Sequence, residues 1–419
     1  MSTSSTRRSR ARVTASAALG MLLVGIASVP AHAEDFRAQQ WHLDAMGAEE
    51  IWQLSTGKGV TVAVIDSGVD KQNPDLRGQV LEGKDFAAAV QSGDQFTDYT
   101  GHGTGMAGII AGTGERDGGN GAFGLAPGAK ILPVRVPRLE GGNASMTQGE
   151  EDFNRDVPPA IRYAADAGAK VINISLGTGE GSQQLTDAVK YALDKGSLVF
   201  AAVGNSGDKG NLLEFPGATP GVVGVGAIDK KLTRVSNSQH GDQVDIVAPG
   251  KDIVHACGGG TGMCKSIGTS DATALASAAA ALLWSKHPDW TNNQVLKVML
   301  NTIAKPKGGD KRSDFIGYGA IRPLRTLKTP GDPGPADVRP IDDLTEVAPE
   351  TASATPSAPE TLPPADPGPV ETTTVAPAPA PQAAAEEGGN TGLWIGLGIG
   401  AAVLLGAGVA VSVLRSRRS

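Results

Sequence analysis

Five short runs rich in β-branched residues, at 60–65, 130–135, 171–174, 198–203 and 222–225, alternate with Ala-rich stretches whose apolar spacing is helical. That alternation is the signature of βαβ units, and it predicts a mostly parallel central sheet with helices on both faces. Helices are expected over 158–167, 185–195 and 271–286, the last very rich in Ala and ending before Pro288. In an open parallel sheet, ligands bind beyond the carboxyl ends of the strands, so the residues just after each run are where chemistry should be sought.

Both ends of the chain have a different character. Arg7, Arg8, Arg10 and Arg12 precede an apolar run over 13–29 that ends in Ala31-His32-Ala33. A basic flank, an apolar stretch and a small-residue cleavage site in that order read as a signal peptide, 1–33. Near the other end, residues 393–414 carry no charge, and 22 residues of helix at 1.5 Å each reach about 33 Å, enough to cross a hydrocarbon core of about 30 Å. Arg415, Arg417 and Arg418 follow, so the positive-inside rule puts a basic tail, 415–419, in the cytoplasm and the rest outside. Between them, 328–392 reads as a disordered Pro/Ala/Thr-rich stalk: 14 of the 27 prolines fall between Pro330 and Asn390. No LPxTG-like peptide precedes the apolar run, which argues against a cell-wall anchor. The expected location is the cell membrane, single-pass, with the folded domain, 34–327, extracytoplasmic. A net charge of −7 argues against nucleic acid as a partner.

Three polar residues stand where the sheet argument looks for them. Asp66 follows the first strand run, His102 lies within Gly-His-Gly-Thr, and Ser270 within Gly-Thr-Ser at the start of the Ala-rich helix. A serine hydroxyl needs a base to become a nucleophile, the imidazole needs a carboxylate to fix its tautomer, and a helix N-terminus favours the negative charge that develops. Taken singly, each could be a cap or a turn residue.

The motifs around these residues, together with Gly124-Leu-Ala-Pro127, Asn173-Ile-Ser-Leu-Gly177 and Ala202-Val-Gly-Asn-Ser-Gly207, resemble those of the subtilase family of serine peptidases over most of 55–325. The resemblance implies a subtilisin-like three-layer fold, a catalytic Asp66, His102 and Ser270, and Asn205 as a side-chain donor in the oxyanion hole. It also implies that Ser175, Leu176 and Gly177 pair with an extended peptide or protein substrate. No metal or other cofactor is expected. Three positions depart from the family pattern. Asp271 replaces the usual large apolar residue after the nucleophile, with Ala274 where Pro is common, and Gly105 stands where many relatives have a second His.

Only about 25 residues separate Ala33 from the first strand run, too few for the folding propeptide of ordinary secreted subtilases. Signal peptide, short extension, peptidase domain, stalk and membrane helix together resemble the mycosins, membrane-anchored subtilases of type VII secretion, which implies secretion-complex components as partners. The expected function is therefore an extracytoplasmic serine endopeptidase linked to that pathway. The alternative is a subtilase-shaped scaffold that stabilises a secretion membrane complex with weak or dispensable proteolysis. Cys257 and Cys264 lie outside the membrane on this topology, where an oxidising environment favours a disulfide between them.

Overall fold

Successive residues of one strand enter two separate cores, and this alternation organises the domain. The computed structural model describes residues 36–137, 146–258, 263–308 and 310–344. In chain order the elements are α1 (Phe36–Gln39), α2 (Trp41–Met46), α3 (Ala48–Leu54), β1 (Thr61–Asp66), β2 (Lys84–Asp85), α4 (His102–Ala111), β3 (Lys130–Arg135), α5 (Met146–Asp166), β4 (Val171–Ile174), α6 (Gln183–Asp194) and β5 (Leu198–Ala202). They continue with β6 (Val223–Ile228), β7 (Ile246–Pro249), β8 (Lys251–Ala256), β9 (Met263–Ile267), α7 (Thr269–Lys286), α8 (Asn292–Asn301) and α9 (Pro323–Lys328).

Strands β1 to β7 form one sheet in the order β2-β3-β1-β4-β5-β6-β7, and every adjacent pair is parallel. Val62, Val64, Ile131, Val171, Phe200 and Val225 point into a core shared with α4, α7 and the N-terminal helices. Their neighbours Ala63, Ile65, Leu132, Ile172, Ile174 and Val199 enter a second core under α5 and α6. This is the three-layer α/β arrangement expected from the sequence, since side chains alternate across a strand and both faces must be covered.

Helix α7 runs through the first core, with Ala272 to Trp284 buried throughout. Small side chains on every face let it lie close against β4 to β7. Helix α5 differs from expectation: it starts at Met146, not at 158, and continues through Pro158 and Pro159. Proline is favoured at the first helical turn, which is why the sequence suggests a start there. Phe153, Val157, Ile161 and Ala164 are all buried in the second core, and that stripe holds the helix together across the prolines.

The N-terminal extension belongs to the domain. Leu43, Met46, Ala48 and Ile51 sit in the first core. The buried Gln40 side chain donates to the carbonyls of Phe123 (2.7 Å) and Val254 (3.0 Å) and accepts from the Phe123 N–H (3.0 Å). The chain also stays on the domain beyond the boundary expected at 327. Ile341 is in the first core, and Arg339 Nη2 donates to the Gly221 carbonyl at 2.9 Å. The signal peptide, the proline-rich stalk from 345 onward, the apolar run 393–414 and the basic tail lie outside the described residues. Among the described residues no helix is long and apolar enough to cross a membrane.

Strands β8 and β9 form an antiparallel hairpin separate from the sheet, and Cys257 and Cys264 are bonded across its end with Cα atoms 5.1 Å apart. Replacing both cysteines by serine is expected to cost about 2.5 kcal/mol, the loop-closure entropy of an eight-residue ring. Chemical denaturation checks this; an unchanged midpoint would show that β-pairing alone holds the hairpin.

Candidate active site

Asp66 is the last residue of β1, His102 the first of α4 and Ser270 the second of α7, so one strand of the sheet and two helices packed on the same face of it deliver them to the carboxyl edge of the sheet. The start of α4 is fixed by Asp98. Its Oδ2 accepts from Thr104 N–H (2.8 Å) and Thr104 Oγ1 (2.6 Å), while Oδ1 accepts from Gly101 N–H (2.8 Å). Carboxylate capping of the first-turn N–H groups ends the loop and begins the helix at His102. Gly101 supplies the left-handed turn (φ 74°) at the junction.

His102 Nδ1 lies 2.8 Å from Asp66 Oδ1 and 3.0 Å from Oδ2. Asp66 is fully buried, and its Oδ1 also accepts from the Ser67 N–H (2.8 Å) and Ser67 Oγ (3.1 Å). A carboxylate fixed in this way makes Nδ1 the protonated nitrogen and leaves Nε2 free to accept a proton.

Ser270 and His102 line one cavity of about 420 Å³, together with Asn205, His255, Ser266, Gly268 and Asp271. No residue of α1 to α3 contributes to its lining. The Ser270 hydroxyl donates to the Ser175 carbonyl at 3.1 Å. Engaging His102 requires the hydroxyl to turn away from that carbonyl, a change of the kind that free enzymes make on binding substrate.

Asn205 Oδ1 accepts from the Thr269 N–H (3.0 Å), which leaves its amide nitrogen to face the cavity. The loop carrying it is held by Glu214, which accepts from the Asn205 backbone N–H and, at 2.9 Å, from Gln239 Nε2; burial pushes the Glu214 carboxyl above its ordinary value.

Ser175, Leu176 and Gly177 follow β4 directly. Ser175 Oγ donates to the Ser270 carbonyl at 3.1 Å, and Asn173 bridges Ser175 and Ser277, each contact 3.1 Å, so the strand end and α7 are linked by a buried polar ladder. Thr178 then pairs with Phe215 in both directions (2.8 and 2.9 Å).

The structure thus gathers Asp66, His102, Ser270, Asn205 and Ser175 at one cleft, with the disulfide of Cys257 and Cys264 at its rim. Sequence reasoning missed Asp98, Glu214 and the pair His255 and Ser266. Asp98 had a readable signal in its place four residues before His102. The others converge only in three dimensions. Beside the nucleophile, burial raises the Asp271 carboxyl to about 7 and lowers the His255 imidazole to about 4.

Comparison with known proteins follows the same residues. The subtilase family model matches residues 57–319. A thermophilic serine proteinase of Bacillus sp. strain AK1 is 40% identical over 271 residues, covering 64% of this chain and 62% of that protein, so the chain spans under two thirds of that relative's length. Thermitase of Thermoactinomyces vulgaris is 35% identical over 273 residues, which cover 65% of this chain and 91% of thermitase. Among solved structures, the MycP3 protease from the type VII (ESX-3) secretion system superimposes with a TM-score of 0.58 at 33% identity, covering 68% of this chain and 87% of that one.

Proposed function

The chain belongs to the subtilase family, and from that membership we propose that it is a serine endopeptidase working through Asp66, His102 and Ser270. The observation that carries the reading is the 2.8 Å contact with the buried Asp66 of His102 Nδ1, whose ring lines the cavity together with Ser270 and Asn205.

An extended peptide lies along residues 175–177 by main-chain pairing, with its scissile carbonyl carbon over Ser270. Ser270 Oγ attacks that carbon as His102 Nε2 takes the hydroxyl proton, and Asp66 stabilises the resulting imidazolium. The carbonyl oxygen becomes an oxyanion that accepts from the Asn205 side-chain amide and the Ser270 N–H. In subtilisin such an Asn contributes about 2.7–4 kcal/mol to transition-state stabilisation. His102 then gives its proton to the leaving amine, and water, activated by the same imidazole, releases the acyl group.

The wider assignment follows the chain's layout. A basic-flanked apolar run at 13–29 and an uncharged one at 393–414 would export the domain and anchor it to the outer face of a membrane. The likeness to MycP3 supports a link to type VII secretion. Its substrates would then be exported proteins and its partners the secretion complex.

The test is pre-steady-state hydrolysis of an activated ester by the purified enzyme. A burst of one leaving group per protein molecule is expected; release without a burst, or none at all, would favour the scaffold reading.

A further inference from the structure

Two of the departures from the family pattern, Asp271 and Gly105, meet at one place. Asp271 Oδ1 and Ser266 Oγ are 2.7 Å apart, Ser266 Oγ and His255 Nε2 are 3.0 Å apart, and His255 Nδ1 is 2.8 Å from the Ala256 carbonyl. The imidazole fills the space that a side chain at position 105 would need: a Cβ there would lie 2.7 Å from His255 Cε1. Gly105 makes room for His255, and His255 with Ser266 gives the buried Asp271 a polar partner. All three side chains line the cavity of Ser270 and His102.

Counting protons constrains the state of this chain of groups. A carbonyl only accepts, so His255 Nδ1 carries a hydrogen. If His255 were neutral and Asp271 ionised, the single Ser266 hydroxyl hydrogen would face two acceptors, Nε2 and the carboxylate, with the Ile253 carbonyl a third at 3.4 Å. One buried acceptor would go unpaired, which is costly. One additional proton satisfies every bond, either as an imidazolium with a carboxylate or as a neutral imidazole with a carboxylic acid. Burial selects the second, raising Asp271 to about 7 and lowering His255 to about 4.

We propose that Asp271 acts as a carboxylic acid that donates to Ser266, and through it to His255, and that loss of this one proton switches off attack by Ser270. Asp271 is a positioning residue, because it touches neither substrate nor the hydrogen-bond pair of His102 and Asp66. In the acid form no charge stands next to the nucleophile. Once ionised, its negative charge opposes the oxyanion that forms beside Ser270.

The other groups facing the network do not supply the proton. From α4 comes His102, paired with Asp66 behind it. From α2 comes His42, buried and held neutral by a value lowered to about 3, with Arg37 beyond it. From the hairpin comes Lys265, ion-paired with Asp252 at 2.8 Å on the solvent side.

The switch rests on the peptidase reading, whereas the proton shared by Asp271, Ser266 and His255 does not. In wild type, kcat/KM for a peptide substrate should fall about tenfold or more as pH rises through about 7. In Asp271→Asn, whose amide donates to Ser266 as the acid does, that alkaline fall should disappear. A uniform loss at every pH, with the fall in the same place, would mark a merely structural role and overturn the proposal. Should Asp271→Asn fail to fold, or wild type lack peptidase activity, 13C NMR of aspartate-labelled wild type decides independently. A buried carboxyl that is protonated below about pH 7 and ionises near 7 while the His255 ring stays neutral supports the shared proton; an Asp271 ionised throughout refutes it, whatever becomes of the peptidase reading.

Discussion

Ser270→Ala is expected to lower kcat for a peptide substrate by about 10⁶-fold, the loss known for the corresponding change in subtilisin, while KM moves little. The split follows from where the groups sit. Substrate is held along residues 175–177, and the oxyanion donors are the Asn205 amide and the position 270 N–H, all of which survive the substitution. Only the bond-forming atom is lost. The residual rate should still exceed the uncatalysed one by about 10³–10⁴, because those donors remain. Among the described residues the hydroxyl bonds only the Ser175 carbonyl, and Ser175 keeps its other contacts to Asn173 and to the Ser270 carbonyl, so the fold should be nearly unaffected. Steady-state kinetics beside a thermal melt check both halves. A variant with wild-type turnover would remove Ser270 from the mechanism.

Asp66→Asn should cost about 10⁴ in kcat by a different route. Asp66 Oδ1 is the oxygen that accepts from the Ser67 N–H and hydroxyl, so an amide would keep its oxygen there and put its nitrogen in the Oδ2 position, 3.0 Å from His102 Nδ1. That nitrogen donates and cannot accept. The oxygen kept at the Oδ1 position, 2.8 Å from Nδ1, can still accept, but the new donor beside it favours the tautomer with Nδ1 bare and Nε2 protonated, in which nothing receives the Ser270 proton. Size and packing are unchanged, so stability should hold while catalysis fails. Histidine NMR reads the tautomer directly, and an Asp66→Asn enzyme that retained the Nδ1–H form would refute the explanation even if activity fell.

The sheet was legible because its strands are continuous apolar runs between helices that cover both faces, and 130–135 and 171–174 are strands at the expected bounds. The edge strands Lys84–Asp85 and Ile246–Pro249 and the hairpin β8–β9 were not. Lys84–Asp85 has two residues and no apolar pattern, Ile246–Pro249 is four residues closed by a proline, and the hairpin has exposed residues along β9 that carry no periodic signal. Helix α5 hid its first half behind Pro158 and Pro159, where local preference says a helix begins and burial of Phe153 and Val157 says otherwise. At the site, Asp66, His102 and Ser270 were findable because each follows a strand or opens a helix within a motif. Glu214 meets Gln239, 25 residues on, and His255 and Ser266 meet across a hairpin at a separation of 11, so no helical or strand period announces them. Asp271 and Gly105 were visible as oddities in distant parts of the chain. Their common cause, a histidine packed against one and bonded through Ser266 to the other, exists only once the hairpin lies over α4.

The most direct test treats the purified protein with a fluorophosphonate and maps the adduct by mass spectrometry. A hydroxyl activated by His102 and Asp66 should take up one equivalent, all of it on the peptide containing Ser270. Folded wild-type protein that remains unlabelled, or that is labelled elsewhere, would contradict the account.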